Sequence, residues 1–467
     1  MRMSERDITQ STLSTPPLTL WRDEQLRAPT TSPPASWARR ASEALIALSL
    51  MWLVLCLADP SLALSAQVTL GGWGALSLSF GLLWVGVTAR ALSLHRSAVM
   101  GGARALGASG PYDRGLTSRG VSAWVASAAL TALYCGLYWW PSTLEGWVML
   151  SNPLAYALTG AQADQWFLYS ALYSGAVLSF GVRSALKGRG HPYVLARTLS
   201  VCLSQLGLAF LVPYFLKAQG APEFYPSYFW PLKPDYLLPF DYITHEQSGL
   251  IAAEWSGRAV GRAMLLWAAL MSFIFTPLLT YRFGKRWYCA WVCGCGALAE
   301  TAGDPWRHLA AKGQDALTLE RWLSWLILLV ISGFTLFLWV NEWSGRALLG
   351  SDGSHLFWRT YGLLIVMSFS GVIGVGLYPL LGSRSWCRFG CPQAKILGLL
   401  QVLFKRFKIK TEGESCVSCG RCTHACEMGI DVRAYAQRGE VIIREACVGC
   451  GACEEACPRG VIKLTSK

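Results

Sequence analysis

The 467-residue chain is 53% hydrophobic and only 15% charged, and it carries 22 Trp. That is the composition of a membrane protein, with Trp available for interfacial belts, and it excludes an ordinary soluble domain. The net charge of +13 would suit a nucleic-acid binder. The basic residues cluster between apolar spans instead, which is the positive-inside pattern and argues against nucleic acid.

Residues 1–41 are rich in Ser, Thr, Pro and Arg and lack apolar periodicity, so they read as a disordered cytoplasmic tail. Stretches long enough to cross a bilayer follow near 42–58, 66–89, 121–140, 166–182, 198–217, 263–281, 321–340 and 360–381. The first five, with a loop at 218–262, form an N-terminal membrane domain over 42–262. The remaining three belong to a second membrane domain over 263–400. Loops after the second, fourth, sixth and eighth spans carry the positive charge, including Arg90, Arg119, Arg183, Lys187, Arg197, Lys285, Arg286, Arg384 and Lys395. The loop after the third span has Glu145 and Asp164 and no Lys or Arg. This alternation places both termini in the cytoplasm. The opposite-side loop 218–262, rich in Pro and Tyr, reads as a folded external cap.

A basic linker, 401–415, includes Lys405, Arg406, Lys408 and Lys410, which would hold the following segment against anionic lipid. That segment, 416–467, carries two runs of the form C-x2-C-x2-C-x3-C. In such runs three close thiolates wrap one iron–sulfur cube and the fourth, distant Cys serves the other. Cys416, Cys419, Cys422 and Cys457 are therefore assigned to one [4Fe–4S] cluster, and Cys447, Cys450, Cys453 and Cys426 to a second. Zinc would want paired C-x2-C ligands, and a disulfide framework does not suit the reducing side of a membrane. Gly420 and Gly451 follow the second Cys of each run and allow a tight turn. Pro458 follows Cys457, whereas Glu427 follows Cys426, a departure from symmetry between the halves.

A second constellation lies upstream. Gly284, Arg286, Tyr288, Cys289, Trp291 and Cys293 repeat as Gly382, Arg384, Trp386, Cys387, Phe389 and Cys391. Both read G-x-R-x-aromatic-C-x-aromatic-x-C, each at the end of a span. On a helix, C-x3-C puts two thiols about one turn apart on one face. Cys289, Cys293, Cys387 and Cys391 are thus candidates for a redox dithiol pair, a soft-metal site such as copper, or a further cluster. Reduced Cys packed at a helix start is the plainer alternative. Arg286 and Arg384 are expected to favour thiolate. Cys295 is either a further ligand or a bystander, and Cys56, Cys135 and Cys202 read as buried small hydrophobes. None of the six His falls inside an expected span, so no haem is expected.

The motifs around Cys289 and Cys293, around Cys387 and Cys391, and from Cys416 to Val432 resemble the membrane polyferredoxin family that includes NosR, NapH and CcoG. The resemblance covers roughly 263–467. The chain departs from it where Gly294 and Cys295 stand in place of the family's Pro. The fold expected is a polytopic α-helical membrane protein of about eight spans, with a C-terminal α+β two-cluster ferredoxin-like domain. The resemblance implies electron transfer at the cytoplasmic face of a bacterial inner membrane, for a respiratory or metal-site-assembly system. The partners expected are membrane lipid and either a redox protein or a quinol. The alternatives are a cupric reductase or copper-site assembly factor, which would be an oxidoreductase, and a redox-sensing regulatory scaffold.

Overall fold

The computed structural model describes residues 36–100, 118–221, 224–237, 257–345, 348 and 350–466. The expected tail lies almost wholly outside the described residues, as do 238–256 of the loop 218–262. Among the described residues, eight long helices build the membrane part: α1 (Trp37–Ala58), α2 (Gly72–Arg90), α3 (Val121–Trp139), α4 (Gln165–Lys187), α5 (Pro192–Ala218), α6 (Gly261–Phe283), α7 (Gln314–Asn341) and α8 (Arg359–Gly376). Seven of them, all except α4, are long and apolar enough to cross a membrane.

Helix α4 occupies the expected fourth span and has 23 residues, about 34 Å at 1.5 Å per residue. It is more polar because protein surrounds it. Its buried face includes Phe167, Ser174, Val177, Ser179 and Arg183. It also runs from one end of the bundle to the other. Asp164 caps its start, accepting from the Phe167 N–H at 2.7 Å, and pairs with Lys217 at the end of α5. At its other end Arg183 and Lys187 pair with Asp304.

The second span is shorter than expected. Gly71 takes a φ of 72° and separates the helix Pro60–Leu70 from α2. Helices α5, α6 and α8 widen into π-helical turns at Gln205–Leu211, Met271–Phe275 and Gly362–Gly376. Such turns are frequent beside functional sites. Small residues let α8 approach α3 closely. A Cβ at Gly371 would lie 2.8 Å from the Tyr138 ring, and the Ser127 hydroxyl donates to the Gly376 carbonyl at 2.9 Å.

The basic segments after α2, α4, α6 and α8 meet at one end. Arg119 donates to the carbonyls of Leu380 and Leu309 at 2.8 and 2.9 Å, and Tyr193 donates to that of Gly449 at 2.6 Å. The C-terminal domain packs on this end. It is approached by helix α9 (Pro392–Phe404) and contains strands β1 (Lys408–Thr411) and β2 (Ile462–Thr465), antiparallel with Ile409 opposite Leu464. The expected linker 401–415 thus contains the end of α9 and the first strand. Strand alternation buries Ile409 and leaves Lys410 exposed. One buried apolar body runs from Phe229 and Tyr288 in the membrane part to Ile442 and Ile462 in the C-terminal domain.

Candidate iron–sulfur and thiol sites

Two small cavities in the C-terminal domain are lined by cysteine. Cys416, Cys419, Cys422 and Cys457 share one. Cys426, Cys447, Cys450 and Cys453 share the other. These are the same two sets of four that the sequence spacing groups. Gly420 and Gly451 have φ of 76° and 83° and start the helices Arg421–Ala425 and Ala452–Glu455. A side chain would strain that left-handed backbone, so each loop can turn back on its own thiols only with Gly there. Four soft thiol donors around one small cavity fit a [4Fe–4S] cluster. The two sites differ in exposure. Cys419 is exposed, whereas Cys447 and Cys453 are buried on the side that meets the membrane part.

The membrane-surface motifs also converge. Cys289 closes the short helix Arg286–Cys289, and Cys293 precedes Gly294–Glu300. In the second motif Cys387 lies in Ser385–Phe389, and Cys391 caps α9, its sulfur accepting from the Ala394 N–H at 3.4 Å. All four thiols are buried, belong to one apolar body, and line one internal cavity. Burial pushes the Cys289 thiol up to about 12, against the pull of Lys285. Cys293 moves the other way, to about 6, chiefly through a hydrogen bond with Cys295. Burial also raises Cys387, with Arg384 opposing it.

Only one of the two motif arginines faces these thiols. Arg286 lies over the rings of Tyr193 and Phe407, 5.4 and 5.1 Å from their centres. Arg384 is 1% exposed, and its NH1 reaches the Cys387 sulfur at 3.8 Å and the Cys289 carbonyl at 3.0 Å. Its Nε donates to Glu427 at 3.0 Å, and its NH2 to Glu300 at 3.0 Å. One guanidinium therefore ties both cysteine motifs to the loop beside Cys426. The Glu427 that breaks the symmetry of the two cluster runs is its partner.

The rest of this network has no direct sign in the sequence. Glu300 also pairs with Arg197 and Arg307, each at 2.9 Å, and Asp304 with Arg183, Lys187 and Arg307. Burial alone would raise the Glu300 carboxyl, but Arg197, Arg307 and Arg384 outweigh it and hold it well below the usual range. Burial raises Glu427, helped by Glu300 and opposed by Arg384. Arg197 also donates to the Cys450 carbonyl. Gln401 on α9 accepts from the Lys285 N–H and donates to the carbonyls of Arg444 and Cys447 at 3.0 and 3.1 Å.

The internal cavity measures about 590 Å³, within the roughly 300–1,000 Å³ common for small-molecule sites. Its walls combine aromatic and aliphatic side chains from α3, α4, α5 and α8, among them Tyr134, Trp166, Tyr173, Ile365 and Val366, with Gln205 and Ser370 as polar groups. The four motif thiols and Cys295 form part of its lining.

The family model of a 4Fe-4S dicluster domain matches residues 415–462. That of a 4Fe-4S binding domain matches twice, at 265–312 and 363–411, once for each C-x3-C motif. Over 167 residues the chain is 26% identical to the ferredoxin-type protein NapH of Escherichia coli (strain K12), covering 34% of this chain and 53% of that relative. The chain is related to the membrane polyferredoxins. A second relative of the chain, YccM of the same strain, is named as an electron transport protein. It is 29% identical over 184 residues, which cover 36% of this chain and 47% of YccM. The chain spans about half the length of the curated relatives it matches. No solved structure matches it.

Arg384→Gln would leave two buried carboxyls without their shared cation, a loss of about 3–5 kcal/mol for a broken buried pair. The expected result is a lower melting temperature and faster proteolysis between β1 and the membrane part, relieved in part by adding Glu427→Gln. Equal stability of Arg384→Gln and wild type would refute this account of the network.

Proposed function

We propose that the chain is an inner-membrane iron–sulfur electron-transfer protein that takes electrons from a lipid-soluble quinol and delivers them to a protein partner at the cytoplasmic face. The observation that carries this reading is one continuous buried body. It extends from the internal cavity, past the four motif thiols, to the two tetracysteine sites.

Cys416, Cys419, Cys422 and Cys457 would hold one [4Fe–4S] cluster, and Cys426, Cys447, Cys450 and Cys453 the other. A bound cluster supplies a one-electron couple, tuned by nearby charge, hydrogen bonds and exposure. Oxidation of one quinol would release two electrons and two protons, and two one-electron sites would match the electrons. The cavity's aromatic and aliphatic walls suit a quinone ring. The Tyr228 phenol and the Ser370 hydroxyl, which line the cavity, would provide hydrogen-bonding groups for its oxygens.

The basic segments gather at the same end as the C-terminal domain, which supports a cytoplasmic location for that domain. Thiols remain reduced there. Cys419 is exposed, which gives a soluble acceptor access to that site, and the other site shares a buried apolar body with the motif thiols. The resemblance to polyferredoxins supports an acceptor in a respiratory or metal-site-assembly system.

Two experiments test this. In low-temperature EPR of the reduced protein, Cys416→Ser and Cys457→Ser should alter one species, and Cys426→Ser and Cys447→Ser the other. If Cys457→Ser behaves like Cys447→Ser, the ligand assignment is wrong. Second, Ser370→Phe narrows the cavity from its α8 wall. It should slow cluster reduction by a short-chain quinol at least tenfold and leave reduction by dithionite unchanged. A wild-type rate with the quinol would remove the cavity from the pathway.

A further inference from the structure

Neither family match says which atoms of the two 4Fe-4S binding segments act as ligands. Each segment offers a single C-x3-C pair, too few for a cluster of its own, and Cys295 adds a thiol to one segment only. The fold brings the two pairs together. Cys289, Cys293, Cys387 and Cys391 are between 4% and 9% exposed and line the same cavity. None of the 16 cysteines is in a disulfide.

The spacing of donors separates a single ion from a cluster. A tetrahedral ion with metal–sulfur bonds of about 2.3 Å needs its sulfurs about 3.8 Å apart. Among the described residues, the one set of three potential ligands with donor atoms all within 4.8 Å of one another is Glu300, Glu427 and Cys450. No three of the four motif thiols are gathered so tightly. The eight C-terminal cysteines are not either, and they carry the two-cluster spacing. Like the eight C-terminal cysteines, the motif thiols are not drawn to the spacing of a tetrahedral single-ion site. Arg384 supplies a fixed positive charge against Cys387, and a cluster with four thiolates is anionic.

We propose that the two repeats jointly hold a third iron–sulfur cluster of the [4Fe–4S] type, with Cys289 and Cys293 from one repeat and Cys387 and Cys391 from the other. Cys295 lines the same cavity beside Cys293 and lies outside this ligand set. This centre deepens the electron-transfer reading by placing a redox group between the membrane cavity and the buried C-terminal site. Its test does not depend on electron transfer.

The test is iron, acid-labile sulfide and copper content of the anaerobically purified full-length protein, with EPR of the reduced state. Wild type should carry about twelve irons and twelve sulfides, four for each of three cubanes, and no stoichiometric copper. Two half-site variants, Cys289→Ser with Cys293→Ser and Cys387→Ser with Cys391→Ser, should each lose about four irons and the same EPR species. Both should keep the signals of the C-terminal clusters. A wild-type content of about eight irons overturns the proposal whatever the variants do, and so does one copper per chain at these thiols. Twelve irons that survive in both variants overturn it as well, because the extra iron then lies elsewhere.

Discussion

The architecture depends on a single buried guanidinium. Arg384 begins the second cysteine motif, touches a thiol of that motif and a carbonyl of the first, and is neutralised by Glu300 and Glu427. Each contact joins a different piece of chain: the end of α6, the helix Gly294–Glu300, the end of α8 and the loop after Cys426. A charge this deep persists only when it is paired and hydrogen-bonded on all sides. The geometry of the membrane-surface thiols and the seating of the C-terminal domain are therefore one problem with one solution. Arg197 and Arg307 extend the same solution through Glu300, and Asp304 carries it to Arg183 and Lys187 at the foot of α4.

That seating gives the molecule a direction. Apolar membrane helices enclose an aromatic cavity, the motif thiols form part of its wall, and α9 and the C-terminal domain continue from there. Gln401 and Lys395 on α9 hold the loop that leads into the second cysteine run, Lys395 through a 2.6 Å pair with Glu445. The first run, with Cys419, remains at the surface. In the proposed reading, the cavity side would serve lipid-soluble chemistry and the exposed first run a protein.

Much of this was legible in the sequence because the signals were local or periodic. Cysteine spacing sorted eight residues into the two sets that share cavities. Apolar length located the seven described helices that are long and apolar enough to cross a membrane, and the alternation of Lys and Arg matched the end at which the basic segments meet. Gly420 and Gly451 announced their turns. What the sequence hid were long-range pairings of common residues. Arg183, Lys187 and Arg197 look like ordinary loop charges, yet they meet Glu300 and Asp304 more than 100 positions away. Glu427 stood out only as a missing Pro, with nothing to say that Arg384 was its partner. Arg286 and Arg384 occupy equivalent motif positions, yet packing against Tyr193 and Phe407 and bonds to the Phe283 carbonyl and the Ser466 hydroxyl hold Arg286 away from the thiols. The break at Gly71 and the interior setting of α4 likewise depend on neighbours that the chain alone does not display.

The central claim is that the motif thiols stand on the route between the membrane cavity and the C-terminal clusters. Rapid-mixing absorbance and freeze-quench EPR on a variant with Cys289, Cys293, Cys387 and Cys391 all replaced by Ser test it most directly, with a short-chain quinol and dithionite as separate reductants. The account predicts that dithionite still reduces the C-terminal clusters at the wild-type rate while reduction by the quinol is lost. Quinol reduction at the wild-type rate in that variant would contradict it.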